Sequence, residues 1–248
     1  MIVKHHSEGW EIISHYAHGL LAGKIASQLS KDLMPEHWVD VLTAIVEHDD
    51  HLLNFEEQDY LTKNGTPKDF TMESNKNREA LEHAQRVYAN AMQKSQLVAL
   101  LVGRHLEFLN EDLAEDFKPM EQFLEDIDAL RAQQRKLYGL LKKDEDNLYD
   151  IMLFSDRCSL ILCQDKIPEV GRKLEINNTI RNKTYFIHRD NTEKITVEPW
   201  PFENDKIKLD FEYRIIPQAT FKNNQELKKL LDDVEIGLHL KILKKTNG

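Results

Sequence analysis

Between residues 36 and 48 the apolar side chains Val39, Leu42, Ile45 and Val46 recur three and four positions apart, the spacing that lines one face of an α-helix. Pro35 suits the first turn of such a helix. The same period runs through 17–29, 77–92, 96–109, 120–141 and 148–163, so the pattern predicts six helices before residue 165. Between the second and third lies the polar, aperiodic stretch 52–75, where Asn64-Gly65-Thr66-Pro67 marks a turn and a long loop is expected. Loops of that length inside a domain are usually functional or disordered. Beyond Pro168 the period changes to two. Ile207, Leu209, Phe211, Tyr213 and Ile215 alternate with Lys208, Asp210, Glu212 and Arg214, as in a strand with one face on a core. Val234, Ile236, Leu238, Leu240 and Ile242 repeat the alternation. Shorter strand candidates lie at 183–188 and 194–198, and a short helix at 225–232. The expected fold is mainly α, α+β overall. A helical domain spans 1–165, and a small C-terminal antiparallel sheet with one short helix spans 166–248.

Charge sharpens the division. The chain carries 33 Lys+Arg and 43 Asp+Glu, a formal net charge of -10. Residues 1–164 hold -12 of it and residues 165–248 hold +2. A phosphate-backbone binder would work against that field, which argues against a nucleic acid duplex as partner. Cys158 and Cys163 are too few for a disulfide scaffold and are expected as free thiols. No apolar signal segment follows Met1, and the longest apolar run, 97–103, is far short of the roughly 20 residues that span a bilayer. The expectation is a cytoplasmic protein that does not contact membrane.

The candidate chemistry lies in the histidines. Nine of 11 precede residue 106, several on apolar helical stretches. His15 and His18 are three apart on one helix face, and His48 and His51 repeat the spacing around Asp49 and Asp50. Neutral imidazoles and carboxylates are the donors that divalent transition metals take up in hydrolytic sites. Asp156 lies inside the apolar helix 148–163, where a carboxylate is costly to bury without a partner. A cation, backbone donors or a metal could serve.

The order His18, His48-Asp49, Asp156 resembles the HD superfamily of metal-dependent phosphohydrolases. More closely, the chain is similar to a bacterial family catalogued as domain of unknown function 3891. That similarity rests on Ile13-Ser14-His15-Tyr16-Ala17-His18-Gly19-Leu20-Leu21-Ala22-Gly23, His48-Asp49-Asp50, Leu101-Val102-Gly103-Arg104-His105, Asp156-Arg157-Cys158-Ser159-Leu160 and Val197-Glu198-Pro199-Trp200-Pro201-Phe202. The resemblance implies an HD-like helical fold and a divalent metal held by His18, His48, Asp49 and Asp156, with His105 as a further ligand and His83 as another position to consider. Mn, Fe, Mg, Zn and Ni are not distinguished. The lysine that many HD phosphohydrolases place after the pair is missing, since Asp50, His51 and Leu52 follow it.

On this reading the ion activates a water against a small phosphorylated substrate, a phosphomonoester or a nucleotide. Asp49 carries the centre, Asp50 or His51 moves a proton, and Arg104, Arg157 or Lys24 offsets developing charge. Plainer readings stand beside each residue: a solvated helix end for His48 and Asp49, a core imidazole for His18, an Asp156–Arg157 ion pair, and a surface place for His83. Two other functions compete, a non-catalytic metal- or ligand-binding domain and a di-metal oxygenase. The residues say nothing about oligomeric state.

Overall fold

Helices form where the 3.6-residue period runs. The computed structural model describes residues 1–49, 55, 59–72, 77–177 and 180–246. In it α1 spans His15–Ser27, α2 Trp38–Glu47, α3 Asn77–Met92, α4 Gln96–Asp116, α5 Lys118–Leu137 and α6 Lys142–Cys163. Their starts follow capping chemistry. Ser14 accepts from the Ala17 amide and Ser95 from the Val98 amide, each satisfying a first-turn N–H that has no partner inside its helix. Ser95 also donates to Asp40 at 2.5 Å, tying the start of α4 to α2.

The sheet departs from expectation. It is neither small nor confined to the C-terminal residues, and the chain is not a mainly α, HD-like helical domain with a small antiparallel appendage. Seven strands pair in the order β1-β2-β6-β7-β5-β4-β3. Here β1 is Ile2–His6, β2 Gly9–Ile13, β3 Leu174–Asn177, β4 Tyr185–Arg189, β5 Ile195–Glu198, β6 Lys206–Ile216 and β7 Ile236–Lys244. The sheet is mixed, because β5 runs parallel to β7 while every other pair is antiparallel. Both ends of the chain supply strands. The hairpin β1–β2 docks on β6 with Trp10 opposite Ile216, and Gly9 (φ 146°) lets this happen, since a Cβ there would stand 2.1 Å from the Ile216 carbonyl oxygen.

Two cores explain why β2 shows no alternation. Ile13 packs into the main core, with Leu21, Ile25, Phe154, Leu209, Phe211 and Leu243. Ile12 faces the other way, into a smaller cluster with Met1, Tyr60, Leu61, Ile216, Phe221 and Leu227. The strand is thus buried on both faces, and its run Glu11-Ile12-Ile13 reads as continuous. Part of the expected loop packs here as well, with Tyr60 1% exposed. The short helix α7, Asn224–Asp233, completes this cover, capped by Asn223.

The face of β7 is the second surprise. Ile236, Leu238 and Leu240 point outward and are 54–62% exposed, while Gly237 and His239 lie opposite Tyr213 and Phe211 on the inner side. Gly237 leaves room there for Tyr213, since a Cβ would come within 2.4 Å of its ring. His239 stacks on Tyr213 and meets Glu11 Oε1 at 2.9 Å. Stability should follow this orientation and not the apolar alternation. Leu243→Ala, at a fully buried position, should cost about 2–5 kcal/mol, whereas Leu240→Ser should stay within about 0.5 kcal/mol in urea unfolding. Equal losses at both positions would contradict the orientation.

Among the described residues no helix is long and apolar enough to cross a membrane. Cys158 and Cys163 are free and buried, and burial pushes both thiols up to about 12.

Candidate metal centre

Helix α1 carries His15 and His18 on one side and two glycines beside them. A Cβ on Gly19 would stand 2.3 Å from the Val46 carbonyl oxygen, and one on Gly23 2.5 Å from Val46 Cγ2. The bare stripe therefore lets α2 lie directly against α1, and His48, at the end of α2, arrives beside His18. Their ring centroids are 5.3 Å apart, and His105 of α4 follows at 4.9 Å from His48. Asp156 enters from α6. All four of these side chains are buried, with His18, His48 and His105 at most 2% exposed, which excludes a solvated helix end for His48.

Hydrogen bonds fix how the rings present themselves. His48 Nδ1–H donates to the Ile45 carbonyl at 2.7 Å, so Nε2 is the atom turned to Asp156 Oδ1, 3.1 Å away. His18 Nε2 stands at the same 3.1 Å from that oxygen, yet the approach lacks hydrogen-bond geometry and this buried nitrogen has no hydrogen-bond partner. Two imidazole nitrogens thus converge on one carboxylate oxygen. Ligand atoms each about 2.1 Å from a shared ion stand about 3.0 Å apart at a right angle and about 3.4 Å apart at a tetrahedral one, which brackets the observed spacing.

The remaining candidates complete two overlapping triads. One ligand atom each from His18, His48 and Asp49 lie within 4.8 Å of one another, and the same holds for His48, His105 and Asp156. His48 belongs to both. Asp49 is the most open of the five, its side chain 25% exposed, and its Oδ2 accepts from His15 Nδ1 at 2.5 Å. His105 Nδ1 meets the Tyr149 hydroxyl at 3.2 Å.

The electrostatics ask for a positive charge. Burial alone would lower the His48 pKa, but the Asp156 carboxylate beside it overrides that and raises it to about 9. Burial and the neighbouring His48 push His105 down to about 4, and burial also lowers His18 despite its contact with Asp156. The Asp156 carboxyl is held well below the carboxylate range because the charge on His48 outweighs desolvation. Asp49 is lowered too, against its burial, by the hydrogen bond from His15. One proton on His48 balances one buried carboxylate, and His18 Nε2 is left without a hydrogen-bond partner. A divalent ion would engage both nitrogens and the oxygen together, so the residues present fit one.

The other sequence candidates lie elsewhere. Arg104 is held by Glu107 at 2.8 Å and lies over the Tyr149 ring, and both line a cleft of about 460 Å³. Lys24 pairs with Asp210 on β6 at 2.6 Å, and Arg157 is exposed. His83 on α3 is half-buried and stands in neither triad. Asp50 and His51 lie outside the described residues. The sequence had not singled out three residues around the ligands: Tyr149, Ser159, and His15 as the partner of Asp49. The only signals were a polar group inside an apolar helix for the first two and the His15–His18 spacing for the third.

No curated protein and no solved structure matches the chain. A family model does match residues 1–218, a span holding all five converging side chains and six of the seven strands, and the chain belongs to that family, described as protein of unknown function (DUF3891).

Proposed function

We propose that this centre binds one divalent transition metal and hydrolyses a phosphomonoester or nucleotide. The observation that carries the proposal is the convergence of His18 Nε2 and His48 Nε2 on Asp156 Oδ1, both at 3.1 Å, with one of the nitrogens lacking any hydrogen-bond partner. The order His18, His48-Asp49, Asp156 along the chain is also that of HD phosphohydrolase ligands. Three imidazoles among the donors favour zinc, iron or nickel over magnesium and manganese, which prefer oxygen. A bound ion would supply Lewis acidity and make water nucleophilic near neutral pH.

The protein's own groups divide the remaining work. His18, His48, His105 and Asp156, all buried, would hold the ion and keep water from their side of the centre. Asp49, on the open side, is where substrate arrives, and His15 behind it keeps its carboxylate charged and oriented. That carboxylate is placed to take a proton from the attacking water, a role also open to Asp50 and His51 next in the chain. Arg104 is paired with Glu107, a carboxylate it shares with Arg131.

The test is elemental analysis of protein purified without chelator, followed by a phosphoester panel with added manganese, iron, zinc, nickel or magnesium. Asp49→Asn should lower metal-dependent turnover by about 10²-fold or more, a larger loss than its effect on folding. A variant that keeps both metal and turnover removes Asp49 from the chemistry. A wild type that binds metal tightly and hydrolyses nothing across the panel is a binding domain. Iron content with oxygen uptake would mark an oxygenase.

A further inference from the structure

We infer that Ser159 is a positioning residue that sets the tautomer of His18, so that His18 turns an unprotonated Nε2 toward the centre. The role of that nitrogen rests on the metal reading above; the tautomer itself does not.

The inference follows from counting protons. Ser159 Oγ lies 2.8 Å from His18 Nδ1 and 2.7 Å from the backbone carbonyl oxygen of Asp156, one turn back on α6. A hydroxyl has one proton and can accept as well as donate, whereas the carbonyl oxygen only accepts. If the hydroxyl donates to the carbonyl, Ser159 Oγ is left to accept from His18 Nδ1–H, and every donor is used. If instead it donates to Nδ1, His18 must carry its proton on Nε2, where the approach to Asp156 Oδ1 at 3.1 Å lacks hydrogen-bond geometry, and two oxygens face each other at 2.7 Å without a proton between them. A buried donor left unpaired costs about 1–3 kcal/mol, so the first arrangement wins. His48 is oriented by a different contact, its Nδ1–H donating to Ile45 O. Asp156 and Ser159 therefore bracket His18, with Asp156 Oδ1 at one ring nitrogen and the Ser159 hydroxyl at the other. This gives a task to Ser159 in the run Asp156-Arg157-Cys158-Ser159-Leu160. Partners that orient a ligating imidazole typically change metal affinity by about 10–100-fold when removed.

The measurement is a long-range proton–nitrogen NMR correlation on the full chain, metal-free and labelled with ¹⁵N-histidine, which distinguishes protonated from bare ring nitrogens. The expected result is Nδ1–H and bare Nε2 for His18 in the wild type. Ser159→Ala should move protonation toward Nε2 and weaken zinc binding by about 10–100-fold. Ser155→Ala is the matched control: Ser155 is equally buried on α6 and donates only to Ile151 O, so both readouts should stay at wild-type values. An Nε2–H tautomer in the wild type overturns the inference, and this result needs no variant to fold. So does a Ser159→Ala protein with the wild-type tautomer. A tautomer that responds as expected in a protein that binds no zinc upholds the clamp and overturns the metal reading, so the two failures are distinguishable.

Discussion

Replacing His48 by alanine is expected to strip the protein of metal, with an affinity loss beyond the roughly 10–100-fold that follows removal of an outer partner. His48 is the one side chain common to both triads, so its loss breaks each of them. His105→Ala, which touches one triad, should lose less. The same substitution acts on the metal-free fold, because His48 supplies the positive charge beside the buried Asp156 carboxylate. Removing one partner of a buried charged pair costs about 3–5 kcal/mol. At roughly 2–4 °C per kcal/mol for a chain of this size, the melting temperature should fall by about 6–20 °C. Metal per chain by elemental analysis and melting by calorimetry are the two readouts. Unchanged metal content in the variant would place the ion elsewhere.

Gly19→Ala should damage the centre without touching a ligand. The added Cβ would stand 2.3 Å from the Val46 carbonyl oxygen, where ordinary contact begins at 3.4 Å, so α1 and α2 must part by about 1 Å. The obstacle is backbone, which cannot rotate away as a side chain does. Forced overpacking of this kind costs about 1–3 kcal/mol, and it separates His18 from His48. Zinc affinity should therefore fall together with stability. Gly139→Ala is the contrast. Gly139 has φ 65° and nothing within 4 Å of its would-be Cβ, so alanine there meets backbone strain of roughly 1–2 kcal/mol and should leave zinc affinity alone. If Gly19→Ala bound zinc like the wild type, the glycine stripe would not be what sets the ligand spacing.

Much of this molecule is written locally. The helix 77–92 matches α3 to the residue, and the apolar periods of the other five fall on α1, α2, α4, α5 and α6 with shifted ends. Ligand types are equally local. A carboxylate inside an apolar helix and histidines on apolar faces need partners wherever they fold, and His18, His48, Asp49, His105 and Asp156 do meet. The N-terminal strands were not legible, because five-residue segments such as Ile2–His6 and Gly9–Ile13 carry too few positions to show a period, and β2 is buried on both faces.

The chain's own pattern thus determined the helices, the kinds of donor available and their order, since periodicity and residue chemistry act within a few turns of backbone. Only the tertiary structure decided which face of β7 meets the core. Alternation says that two faces differ, but the stacking of His239 on Tyr213 and the room made by Gly237 chose the inner one, leaving Ile236, Leu238 and Leu240 outside. It also decided that both ends of the chain share a sheet and that Ser159 and Tyr149 stand behind the rings of His18 and His105. Those outcomes depend on hydrogen bonds and close approaches between residues far apart in the chain, 141 positions for Ser159 and His18 and 228 for Glu11 and His239, and no local periodicity encodes such pairings.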